Sequence, residues 1–116
     1  MPWRFFRGCV LPSPGLAETY ASKLDALIAR FRLELGAPDI PFIAGQLGRF
    51  ADKPWDDDRR MVDRAHRTLP ARVERTAFVS SAGLHHKGDQ VHFDTASYRE
   101  LGRRYAAAYQ ELAFGP

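Results

Sequence analysis

Asp89 and His92 stand three residues apart in Gly88-Asp89-Gln90-Val91-His92-Phe93-Asp94, a segment rich in turn-forming residues. At that spacing in a turn, a carboxylate can accept a hydrogen bond from the Nδ1–H of an imidazole. The bond fixes the tautomer and leaves Nε2 free to take a proton from a serine hydroxyl. Taken alone, D-x-x-H is also what a surface loop presents when an acid caps a helix and a histidine is solvated.

The neighbouring polar residues suggest other chemistry. His85 and His86, with His92, Asp89 or Asp94, raise a metal site. Adjacent histidines diverge, however, and no spacing here matches a standard zinc motif; no metal or other cofactor is expected. Ser80 and Ser81 close an apolar run beside the Asp–His loop. No G-x-S-x-G elbow surrounds them, and serines at a strand end commonly make turn hydrogen bonds. Cys9 has no base and no helix N-terminus behind it, so an inert thiol is expected. His66 falls inside a helical pattern and is expected to be partly packed. Trp3 and Trp55 could stack on a sugar, though core packing is the commoner use of an isolated indole.

The elements that must carry these residues follow from hydrophobic spacing. Ser13-Pro14-Gly15 can open a helix, and Leu16, Tyr20, Leu24, Leu27, Ile28, Phe31 and Leu35 recur at three and four as one stripe, which Gly36 and Pro38 end. Ile40 to Gln46 is a continuous apolar run, the pattern of a strand buried on both faces. Leu47 to Trp55 reads as loop. Asp56, Asp57 and Asp58 place negative charge at the start of a second helix, with Met61, Val62, Ala65 and Leu69 facing inward and Pro70 as its stop. Thr76 to Ser80 is a second short strand, and Ser81 to Thr95 a long loop. A last helix is expected from Ser97, with Ser97 and Glu100 as a capping box and Tyr98, Leu101, Tyr105, Tyr109 and Leu112 on its packed face. Helix, strand, helix, strand, helix implies an α/β fold with parallel strands, and in such folds sites form beyond the C-terminal ends of the strands. The loop after Val79 occupies that place. Two strands make a poor sheet, so either the N-terminal segment adds a third or the chain is the back half of a larger domain.

Length and composition set the outer bounds. The chain has 116 residues, 45% hydrophobic and 27% charged, which excludes a disordered tail, a collagen-like chain and a disulfide scaffold. Seventeen basic against fourteen acidic residues give a net charge of +3, dispersed along the chain, so no nucleic-acid partner is expected. No apolar run reaches the roughly 18 residues of a membrane span, and no membrane role is expected. The start lacks a proper apolar core and cleavage site for a signal peptide; the address stays open, with cytoplasm expected if Met1 is the true start.

Several segments together resemble one family. Pro41-Phe42-Ile43-Ala44-Gly45-Gln46-Leu47-Gly48, Val79-Ser80-Ser81-Ala82-Gly83-Leu84, Gly88-Asp89-Gln90-Val91-His92-Phe93-Asp94 and Arg99-Glu100-Leu101-Gly102-Arg103-Arg104-Tyr105-Ala106 follow one another as in the C-terminal half of SGNH-type carbohydrate esterases, the group of sialate O-acetylesterases and acetylxylan esterases. The likeness runs from about Leu16 to Ala113. It implies a three-layer α/β/α fold of the flavodoxin-like SGNH-hydrolase type and a Ser–His–Asp mechanism that removes acetyl groups from sugars. It matches His92 to the general base and Asp89 to the carboxylate that orients it. On this reading, residues 1–15 are a divergent N-terminal segment and 16–116 the C-terminal part of the esterase domain.

The chain departs from the family in two places. The G-Q-S-N motif that bears the nucleophile is absent; Gly45-Gln46-Leu47-Gly48 has Leu47 where the serine belongs and matches a later strand of the family. The W-x-Q-G-E segment that helps form the oxyanion hole is replaced by Trp3-Arg4-Phe5-Phe6-Arg7-Gly8-Cys9. Two expectations result. One is an esterase part, inactive by itself, that acts on acetylated carbohydrate once completed by an N-terminal half carrying the serine. The other is a non-catalytic α/β remnant that binds carbohydrate or a partner. In either case an unpaired sheet edge is expected to favour self-association.

Overall fold

A computed structural model describes residues 19–115. The helix start expected at Ser13 to Leu16, the boundary near residue 15, a third strand from the N-terminal segment, and the readings of Trp3 and Cys9 all lie outside the described residues. The elements run α1 (Tyr20–Glu34), β1 (Phe42–Gly45), α2 (Asp57–Arg67), α3 (Leu69–Arg72), β2 (Thr76–Val79) and α4 (Thr95–Phe114). β1 and β2 are parallel, with Phe42 opposite Thr76 and Gly45 opposite Val79. The chain is therefore α/β, as the element order implies. None of the helices among the described residues is long and apolar enough to cross a membrane.

Alternation along the strands sorts the core into two layers. Phe42 and Ala44 face a cluster with Leu24 and Ile28 of α1 and Leu69 and Val73. Ile43 and Val79 face the opposite cluster with Phe50, Leu84, Phe93 and, from α4, Leu101 and Tyr105. Helices thus cover both faces of the sheet, and the apolar character of both strand faces is the reason. Ile28 and Leu69 are almost wholly buried, at 1% and 0% exposure; side chains of this kind each contribute roughly 1.5–3 kcal/mol by leaving water.

α1 ends in a Schellman turn. Gly36, at φ +61, donates to the Leu33 carbonyl, and Ala37 donates to that of Arg32. Only part of its expected stripe is covered. Leu24 and Ile28 are buried, but Leu27, Phe31 and Leu35 are exposed, together with nearby Ile40. On α2, Met61 points outward, and Asp63 and His66 are buried beside Val62 and Ala65. Pro70 does not simply stop the chain's helical course. It sits in the first turn of α3, where a missing N–H costs nothing.

The start of α4 also differs from expectation. Asp94, not Ser97, is the N-cap, accepting from the Ser97 N–H at 2.7 Å. The Ser97 hydroxyl is buried and takes the His85 N–H at 2.8 Å. Glu100 faces Arg103 and Arg104. Asp94, Thr95 and Ser97 are all capable of capping; the Ser97 hydroxyl is drawn inward by the His85 amide, and Asp94 caps. Along the expected packed face only Leu101 is buried, while Tyr98 and Tyr109 are largely exposed.

Candidate active site

Both strands end toward the same side, and the loops that leave them meet there. Gln46, the first residue after β1, ties the two strand ends together. Its N–H donates to the Val79 carbonyl at 2.8 Å, and its Oε1 accepts the Ser81 N–H at 2.8 Å. Its Nε2 donates to Asp63 Oδ1 at 3.0 Å, and Asp63 Oδ2 pairs with Arg67 at 2.8 Å. Asp63 is buried, so its charge is tolerated because both oxygens are engaged. Ser81 is buried as well and donates its hydroxyl to the Leu47 carbonyl at 2.9 Å. This fixes the loop after β1 against the loop after β2.

From the second loop, the 86–93 turn projects. Its stem is laced by Asp94 N–H to His85 O and Lys87 N–H to His92 O, both 2.9 Å. At its tip Asp89 Oδ1 accepts the N–H groups of Val91 and His92, at 2.9 and 2.8 Å. The other oxygen, Oδ2, lies 2.6 Å from His92 Nδ1. The bond from the imidazole, followed by the two backbone bonds, holds the Asp89 carboxyl well below the usual carboxylate range. An ionised Asp89 assigns the proton of neutral His92 to Nδ1. Among the described residues Nε2 has no partner, and about half of the His92 side chain is exposed.

Beside this tip runs a shallow crevice lined by Leu47, Gly48, Lys53, Trp55, Gln90 and Val91. Trp55 is fixed there by donating to the Gly48 carbonyl at 2.9 Å, and the Arg49 guanidinium lies 5.3 Å from its ring centre. The indole is half-buried at the rim of the crevice, not in the core clusters.

The remaining candidates do not converge on His92. Ser80 uses its hydroxyl to accept the Ala82 N–H at 3.0 Å, and Ser81 is committed to Leu47 and Gln46. His86 engages both ring nitrogens, one toward Asp52 and one toward backbone amides. His85 contributes backbone groups to the turn. No group of three or more His, Cys, Asp or Glu among the described residues is arranged to hold a metal ion. His66 is buried; Nε2 lies 2.7 Å from the Tyr20 hydroxyl and Nδ1 has no partner among the described residues. Burial lowers its pKa, opposed by Asp63 and assisted by Arg72.

Sequence reading missed three residues that build this region. Gln46 looked like a spoiled nucleophile motif, Asp63 sits in a helix dense with charge, and Asp52 lies in a loop without pattern. A carboxylate three positions before a buried histidine on the α2 stripe was the one available signal for Asp63, since it places a charge on the inward face.

A family model for carbohydrate esterase, sialic acid-specific acetylesterase, matches residues 11–111. A search of curated proteins found no match.

Proposed function

The chain belongs to the sialic acid-specific acetylesterase family of carbohydrate esterases, and from that premise we propose that Asp89 and His92 are its orienting acid and general base. The observation that carries the reading is the 2.6 Å contact from His92 Nδ1 to an Asp89 already fixed by two backbone amides, on a side chain that is about half exposed. In such an arrangement Nε2 takes the proton from a serine as its Oγ attacks an acetyl carbonyl. The imidazolium is stabilised by Asp89 and then returns the proton to the departing sugar oxygen. Water, deprotonated by the same nitrogen, releases acetate and regenerates the serine. The SGNH assignment, with its flavodoxin-like sheet, is part of this reading.

These 116 residues present no G-Q-S-N motif, and Ser80 and Ser81 are engaged elsewhere. The nucleophile therefore has to be brought to Nε2 by a separate segment, and the chain by itself should not turn over. The crevice along Trp55, Gln90 and Val91 adjoins the turn that carries the imidazole. The competing reading, a non-catalytic module that binds carbohydrate or a partner, draws its support from the same missing motif.

The decisive experiment combines the purified chain with the serine-bearing N-terminal half of a related esterase and follows release of a chromogenic alcohol from its acetate ester. Negligible hydrolysis by the chain alone is expected, with activity on mixing that His92→Ala abolishes. Activity on mixing that survives His92→Ala refutes the role of His92. No activity with any serine-bearing half favours the binding module.

A further inference from the structure

The Asp89–His92 pair is a local turn, and a turn of eight residues on a surface needs something to fix its shape. His86 is placed to do so. Its ring is mostly covered, with 22% of the side chain exposed, and lies edge-on to buried Phe50 at 4.9 Å between centres. Nδ1 is within 2.9 Å of the Gly88 N–H and 3.2 Å of the Gln90 N–H. Two donors converging on one nitrogen require a lone pair there, so the ring proton is on Nε2, which donates to Asp52 Oδ2 at 3.0 Å.

Gly88 and Gln90 are the residues on either side of Asp89. Gln90 adopts φ +63, a region sparsely populated by residues with side chains. It is held there at two points: its N–H on His86, and its side-chain Nε2 on the same Asp52 oxygen at 3.2 Å. The backbone on both flanks of Asp89 is thus hung from one imidazole. That imidazole is anchored to a carboxylate on the other loop of the site.

We propose that His86, fixed by Asp52, is a positioning residue that sets the conformation of the 88–90 backbone and so aims Asp89 at His92 Nδ1. As a positioning role in catalysis this rests on the esterase reading of that pair; as a statement about geometry it does not. His86 touches no reacting atom. It acts through two amide hydrogen bonds, and only an acceptor at the Nδ1 position can make them.

The test is the His92 Nδ1–H resonance in nitrogen-15 spectra of the full chain, which the bond to Asp89 protects from exchange with water. Asp89→Asn serves as the assignment control. His86→Phe keeps the contact with Phe50 but has no acceptor, and the resonance should be lost. His86→Asn places a side-chain oxygen where Nδ1 was, and the resonance should return; His86→Gln reaches toward Asp52 without that acceptor and should not restore it. Amide signals of β1 and β2 report whether each variant is folded. Should His86→Phe fail to fold, the Asn and Gln variants answer the same question. A resonance that persists in folded His86→Phe, or one restored by Gln and not by Asn, overturns the proposal. These outcomes are independent of turnover. Absence of hydrolysis in the reconstituted esterase refutes the catalytic reading, whereas an unmoved resonance refutes the role of His86.

Discussion

The phenolic oxygen of Tyr105 on α4 occupies the space where a side chain on Gly45 would begin, at the last residue of β1. The Tyr105 phenol can lie against the strand end from which Gln46 and the first site loop depart only because position 45 has no Cβ. Tyr105 is half-buried, and burial raises its pKa above the ordinary phenol value.

Gly45→Ala should therefore force Tyr105 off its place. A loss of roughly 1–3 kcal/mol is expected for overpacking of this kind, read as a lower denaturant midpoint. Tyr105→Leu should also destabilise, but the double variant should lose less than the sum of the two, because the clash is shared. Additive losses would show that the contact does not limit the packing.

Asp89→Asn tests the chemistry separately from the fold. An asparagine oxygen can still accept the Val91 and His92 amides, so the turn should persist, while loss of the charge-assisted bond to His92 should lower the melting temperature. The His92 tautomer is no longer dictated, and the imidazolium is no longer stabilised. In the reconstituted esterase kcat should fall by about 10³–10⁴-fold. An unchanged kcat would remove Asp89 from the mechanism.

Stability should fall in two stages on acidification. His66 has a folded-state pKa below its ordinary value of 6.5. The unfolded chain therefore takes up this proton first, and stability declines as pH falls below 6.5. Asp52, Asp89, Asp94 and Glu100 are likewise lowered from ordinary values of 3.8 to 4.5. Their contribution is full above that range and is lost below it. Melting temperatures against pH should show both stages, and His66→Phe should abolish the first alone.

Asp63 is a test of the tie between the strand ends. Asp63→Ala leaves the Gln46 amide donor without its acceptor, which costs roughly 1–3 kcal/mol; Arg67 is largely exposed and can be solvated instead. Asp63→Asn retains an acceptor for Gln46 and should lose less. Equal losses in chemical denaturation would argue that the bond to Gln46 contributes nothing.

The uncovered side of α1 leads to an expectation about association. Leu27, Phe31, Leu35 and Ile40 are exposed near a sheet that has two strands among the described residues. Sedimentation should show concentration-dependent self-association of the chain, weakened by Leu27→Lys combined with Phe31→Lys. A monomer at all concentrations would contradict it.

Periodicity and local chemistry were legible in the residues themselves. The two strands, the Schellman end of α1 and the acidic start of α2 follow from neighbours within a few positions, because helix and strand spacing, caps and turns are short-range effects. The Asp89–His92 hydrogen bond is of the same kind: three residues and one turn suffice to make it.

What the tertiary structure decided was every outcome that depended on a competitor distant in the chain. Ser97 could cap α4, but the His85 amide claimed its hydroxyl and Asp94 became the cap. Gln46 looked like a failed nucleophile motif until Ser81 and Asp63 arrived from thirty-five and seventeen positions away. His86 has two ring nitrogens to satisfy, and Asp52, thirty-four residues earlier, takes its Nε2–H. A hydrogen-bonding group reveals its valence in the sequence, whereas its partner is selected only when folding brings the alternatives together and removes water from between them.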